Sequence, residues 1–263
     1  MIQKLLGLEW MKVRSYKTFW IMLGLFVLGF FGLVYIIYAI KYETAGQMGT
    51  AFLDSYFRYP QIGKLTAYMG SFMLLVLGVI IITQIANEFS FRTHRQNIID
   101  GLSRGQFVNA KWYNAIVLSL LAGVTHLLFT ALFALLGDGG TMAGFLNSFV
   151  YSFYFTLNAL MWLSIAIVLT LWLKRSGLAI SLFFVYGLIL ENLLSYILRR
   201  ATGVSIGEYL PIHIVDGLCP NILLQLVNPA SRPPEWGAVI IACVYIAGFY
   251  ILSRRMVKQM DLK

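Results

Sequence analysis

The sequence predicts an all-α integral membrane protein. It should have six transmembrane helices, an N-terminal interfacial helix, a cytoplasmic helix after the second span and a re-entrant hairpin before the last. Three observations carry this reading. Hydrophobic residues make up 59% of the 263 positions against 12% charged, with a mean hydropathy of +0.77, too little charge to cover a soluble domain of that length. Six apolar runs reach or approach the ~20 residues needed to cross a hydrocarbon core. Lys and Arg fall mostly in alternate connections, as the positive-inside rule requires.

The opening stretch "MIQKLLGLEWMKVRSYKT" (1–18) sets Leu5, Leu8, Trp10 and Met11 among Lys4, Glu9, Lys12 and Arg14. That near-helical alternation suits a helix lying in the membrane interface. Spans follow at about 19–40, 67–86, 113–136, 147–173, 177–198 and 236–252. The first lacks a small-x-small cleavage site and reads as a retained span rather than a signal peptide. All six runs are continuous rather than alternating, which excludes a strand-built barrel. Between spans five and six, residues 203–230 are apolar in the middle yet interrupted by Pro211, Gly217 and Pro220. This pattern reads as a hairpin dipping into the outer leaflet, its free backbone groups shielded by protein; the alternative is a small extracytoplasmic cap.

With the N-terminus in the cytoplasm, inner segments hold fourteen of the twenty Lys and Arg. The bias supports a cytoplasmic C-terminus and an even number of spans. The net charge of +9 is thus a matter of topology, and base-stacking aromatics among basic residues, the mark of nucleic-acid binding, are absent. Cys219 and Cys243 are too few for a disulfide framework.

The segment 87–111 stands out. "NEFSFRTHRQNIIDGLSRGQFVNAK" is far longer than a connection between antiparallel spans needs. Phe91, Ile98, Ile99, Leu102 and Phe107 fall loosely at helical spacing against Arg92, Arg95, Gln96, Asp100 and Arg104. Guanidinium forks beside carboxylates suit docking to a soluble partner. The plainer reading is a positive loop that serves topology alone.

The order of features resembles the ATP-binding-cassette type-2 (ABC-2 type) export permeases of bacteria, over essentially the whole chain. Locally, the resemblance is strongest at Glu88, Thr93, Arg95, the Ser103–Arg104 turn and Lys111. Many members have Gly just before the Thr, where this chain has Arg92. The resemblance implies that 87–111 is a coupling segment docking on a separate ATP-hydrolysing subunit, with Glu88, Arg92, Thr93, Arg95, Asp100 and Arg104 as ATPase-coupling residues. It implies two copies of that subunit, a second permease copy or paralogue, and the bacterial cytoplasmic (inner) membrane. ATP and Mg would sit on the partner. This chain would carry no cofactor, and it has no GxxxxGK[ST] phosphate loop.

Among the other polar residues, Glu191 lies within span five, and ionisable groups inside membranes default to functional hypotheses. It could line the translocation path with Asn192 and Asn158, or pair with Arg199. His126 fits a hydrogen bond between helices better than a proton relay. His213, Asp216 and Cys219 have a spacing at which a metal site is conceivable, but on a short interrupted helix the signal is weak. The alternatives to a permease are an intramembrane protease or acyltransferase and a nucleotide-independent secondary transporter. The chain lacks H-E-x-x-H, and the paired broken spans of secondary transporters are not visible in it.

Overall fold

The computed structural model describes residues 2–43, 55–93, 96, 99, 101–137, 142–219 and 235–259. Helices supply the regular structure throughout, with no strand among the described residues. In chain order they are α1 (Ile2–Arg14), α2 (Lys17–Glu43), α3 (Gln61–Ser71), α4 (Leu74–Ser90), α5 (Arg104–Leu136), α6 (Met142–Leu173), α7 (Ser176–Val185), α8 (Glu191–Thr202), α9 (Pro211–Leu218) and α10 (Glu235–Lys258). A π-helical turn, Tyr186–Leu190, joins α7 to α8, and a 3₁₀ turn, Ile206–Tyr209, precedes α9.

Five continuous helices are long and apolar enough to cross a membrane, α7 to α8 counting as one through the π turn, and the bent pair α3–α4 makes the sixth. The all-α membrane architecture therefore stands, with six candidate spans when the bent pair is counted as one. In α6 the most apolar window is 67% buried, against 17% in α2 and in α10. It packs against α3, α4, α5, α7, α9 and α10 and forms the axis of the bundle.

The second span departs from its expected limits of 67–86. It begins at Gln61 and bends by 43° between α3 and α4. Gly70 and Ser71 precede the bend, and helices kink at such pairs. The Ser71 hydroxyl donates to the Tyr68 carbonyl at 2.7 Å, and a Cβ on Gly70 would lie 2.4 Å from the Phe30 ring. The Met73 N–H then bonds back to the Gly70 carbonyl at 2.9 Å, a tightened i→i+3 turn.

The third span starts at Arg104 rather than near 113, and the second runs on to Ser90. Only 91–103 is left as the connection. Ser103 caps α5: its hydroxyl accepts from the Gln106 N–H at 3.2 Å, while the Gln106 side chain accepts from the Ser103 N–H at 2.8 Å. This is a capping box, S-x-x-Q, written plainly in the sequence. Of the expected hairpin, residues 203–219 are described as the 3₁₀ turn and α9, and the remainder up to 230 lies outside the described residues.

Near the middle of the bundle, buried His126 of α5 links three helices. Its Nδ1 lies 2.9 Å from the Ser152 hydroxyl of α6, and its Nε2 lies 3.0 Å from the Thr66 hydroxyl and 3.1 Å from the Gly63 carbonyl of α3. This is the interhelical hydrogen-bonding role expected of it.

Candidate functional site

At the end of the bundle bearing the 91–103 connection, four charged side chains from three helices converge. Leu5, Glu9 and Val13, spaced at i+4, form the buried stripe of α1, so Glu9 faces α5 rather than water. Glu88 lies in the last turn of α4 and Lys111 two turns into α5. The Lys111 ammonium donates to Glu9 Oε1 at 2.8 Å, to Glu9 Oε2 at 3.0 Å, and to Glu88 Oε1. Those contacts use all three of its donors. Lys12 donates to Glu9 Oε1 at 3.1 Å and to Glu88 Oε1 at 2.9 Å.

Lys111 is only 2% exposed, and Glu9 and Glu88 are 5% and 6% exposed. Burial alone would push the Glu9 carboxyl up, but Lys111 and Lys12 outweigh it and hold the group below the ordinary carboxylate value. For Lys12, burial acts against the ammonium, yet Glu88 and Glu9 raise it above the ordinary lysine value. Two positive and two negative charges therefore sit together as a neutral, water-poor knot. Such a knot is a tie, not a reaction centre, because each ammonium is engaged by carboxylates. A cleft of about 210 Å³ opens beside it, lined by Glu9, Lys12, Tyr16, Asn87, Glu88 and Thr93. Across this cleft, Asn87 donates to the Tyr16 hydroxyl at 3.0 Å.

The described members of the expected coupling set fall into three groups. Glu88 is inside the knot. Arg92 and Thr93 are exposed on the connection, and Arg92 adopts a φ of 57°, the left-handed conformation that Gly takes at no steric cost. Arg104 reaches across to α10 and donates to the Lys258 carbonyl, where a cation complements the helix C-terminus. Arg95 and Asp100 lie outside the described residues. Two apolar side chains of the connection are largely exposed, Phe91 at 74% and Ile99 at 77%.

The three expected path residues do not cluster as one surface. Glu191 is buried, and its Oε1 accepts from the N–H groups of Ile212 at 2.6 Å and His213 at 2.8 Å. It therefore caps the N-terminus of α9 across the hairpin instead of pairing with Arg199. Asn158 of α6, fully buried, donates to Asp216 of α9 at 3.1 Å. Asn192 is exposed and lines a cavity of about 400 Å³ with Tyr68, Ser71, Trp162 and Asp216. Of the three, only Asn192 lines this cavity; Asn158 holds the lining residue Asp216, and Glu191 holds the helix that carries it.

Glu9 and Lys12 are the site residues that sequence reading left among the polar face of α1. The usable signal was the i, i+4, i+8 stripe Leu5–Glu9–Val13, with an acid in the middle of an otherwise apolar line. No curated protein matches this chain. Residues 5–190 match the family model described as ABC-2 family transporter protein. That stretch takes in most of α1, the connection, the four-residue knot, four whole spans and the first part of the fifth, so this chain belongs to the ABC-2 family of transporter proteins and is a permease component.

Proposed function

We propose that this chain is the membrane permease of an ATP-driven exporter, paired with a second permease copy or paralogue and driven by two separate ATP-binding subunits. ATP and Mg reside on those subunits. The bundle spans the bacterial cytoplasmic membrane with both termini inside, where the basic connections lie. The observation that carries the reading is the 91–103 connection. It presents Phe91 and Ile99 to solvent, while the helices on either side of it are clamped to each other and to α1 by Lys111.

An exposed apolar pair on a clamped connection is suited to take a push from a docked protein and pass it on. Closure of the ATP-binding subunits displaces the connection, and the neutral knot carries that displacement into α1, α4 and α5 together. Because α4 continues into α3 through the bend, the motion extends to the wall of the 400 Å³ cavity at Tyr68 and Ser71. ATP biases a two-state bundle, and no chemistry on this chain is required.

The test is co-purification with the ATP-binding subunit. Ile99→Glu should abolish association and substrate-stimulated ATP hydrolysis while leaving membrane insertion and the melting temperature unchanged. Wild-type association by Ile99→Glu together with the Phe91→Glu variant would overturn the docking assignment.

A further inference from the structure

A groove of about 410 Å³ runs along the outside of the bundle between α5, α6 and α10. Its size falls within the ~300–1,000 Å³ range of small-molecule sites. Along most of its length the lining is apolar: Ile116 from α5, Leu157 and Leu160 from α6, Ile246 and Ala247 from α10. These helices are membrane spans, so the groove opens at hydrocarbon depth.

The end nearest the 91–103 connection is different. The Trp112 indole is buried with no acceptor for its Nε1–H, its ring packed edge-on against Tyr250 at 5.5 Å. The Tyr250 hydroxyl donates to Asn109 Oδ1 at 2.9 Å, which leaves the Asn109 amide N–H groups to donate elsewhere. One turn beyond Tyr250, the Arg254 guanidinium lies over the Tyr250 ring at 5.7 Å. Its side chain is exposed, at the level where Arg104 meets the end of α10. Three hydrogen-bond donors and a full positive charge therefore gather at one end, and no carboxylate is among the described residues that line the groove.

We propose that this groove binds an anionic phospholipid, one acyl chain lying along Ile116, Leu160 and Ile246 and the phosphate held by Arg254, Asn109 and the Trp112 indole N–H. An orphaned buried donor is costly unless a ligand or water satisfies it. Basic side chains where spans reach the surface are suited to anionic headgroups. The apolar trough fixes the chain, the donor-rich end selects the phosphate, and the positive charge selects a net anionic lipid over a zwitterionic one. Bound there, the lipid bridges α5 and α10 beside the Arg104–Lys258 contact. This assignment does not depend on how the transporter is driven.

Cys243 lines the groove and is exposed and unpaired, whereas Cys219 is buried, so one thiol reports occupancy. The full-length protein, delipidated in detergent, is mixed with vesicles or micelles of phosphatidylglycerol or phosphatidylcholine, and maleimide labelling of Cys243 is timed. Phosphatidylglycerol should slow labelling and remain bound by mass spectrometry, while phosphatidylcholine should do neither. Trp112→Phe, which keeps the ring packing, and Arg254→Gln should each weaken retention on the order of tenfold, the loss of one charge-assisted hydrogen bond. Equal protection by phosphatidylcholine would overturn the headgroup assignment. Protection by glycerol phosphate alone would reduce the site to an anion pocket. Oxidative Cys243–Cys243 cross-linking in membranes would show that a second protein copy, not lipid, covers the groove.

Discussion

Lys111 and Glu9, 102 residues apart in sequence, are joined by two hydrogen bonds of 2.8 and 3.0 Å with both side chains buried. The pair fixes α1 to the start of α5, and through Glu88 it fixes the end of α4 as well. Removing one member of a buried ion pair leaves an uncompensated charge and costs about 3–5 kcal/mol.

Lys111→Met should accordingly lower the melting temperature of the purified protein sharply. Adding Glu9→Gln should restore part of the loss, because one orphaned carboxylate disappears. A double-mutant cycle on Glu9 and Lys111 should return a coupling of about 0.5–3 kcal/mol. Strict additivity would mean that the two side chains do not interact.

The knot also sets a pH window. The Glu9 carboxyl is held below its ordinary 4.5, so its contribution is present above that value and is lost as pH falls through the lowered one. Lys12 is held above its ordinary 10.5, so its contribution is present below 10.5 and is lost as pH rises through the raised value. Thermal stability should be flat between these limits and fall outside them. Glu9→Gln should flatten part of the acid limb, and an unchanged acid limb in that variant would remove Glu9 from the account.

Arg92 offers a gain rather than a loss. A non-glycine residue in the left-handed region carries a cost of about 1–2 kcal/mol, and Arg92 sits there with a φ of 57°. Arg92→Gly should raise the melting temperature or leave it unchanged, whereas Gly in a helix interior costs about 1 kcal/mol relative to Ala. A marked fall would show that the arginine side chain, not the backbone, holds the turn.

Glu191 should behave as a cap. Glu191→Gln retains an acceptor for the Ile212 and His213 amides, but Glu191→Ala strands both, at about 1–3 kcal/mol for each buried donor. Hydrogen exchange at those two amides should be fast in the Ala variant and near wild type in the Gln variant. Identical exchange in both would rule out the capping role.

Arg104 contacts the end of α10 at an exposed position, so Arg104→Ala should cost about 1 kcal/mol or less. Arg104→Glu, which brings a carboxylate against a helix C-terminus, should leave insertion intact while lowering partner-dependent ATP hydrolysis. Normal transport by that variant would exclude Arg104 from transmission.

The six spans were legible because bilayer crossing demands long apolar runs, and these runs are unbroken in the sequence. Their ends were less legible for a definite reason. Glu88 and Lys111 looked like span boundaries, since single charges inside a helix are expensive, but here they neutralise each other across α4 and α5. The bend at Gly70–Ser71 left no trace in hydropathy because the apolar run continues through it. Glu88 was readable as important but not as buried. The role of Glu191 depended on where α9 returns, a tertiary fact that no local pattern encodes. Ser103–Gln106 was fully written in the residues and needed only the capping rule.

The π turn at Tyr186–Leu190 bears on how this chain tolerates changes of length. A π turn holds one residue more than the α-helical turn it replaces. Deleting Leu188 would let the helix close as a regular turn with the residues after it on nearly the same faces, whereas deleting Leu182 from the regular turns of α7 would rotate everything after it by about 100°, one residue's share of a turn. Glu191 would then swing away from α9, although no substitution had touched either partner. Point changes at the exposed Leu188 and Ile189 should be well tolerated. One at Gly187 should not, since a Cβ there would lie 2.4 Å from the Trp162 ring. A single-residue deletion from the regular turns before the π turn should detach the hairpin.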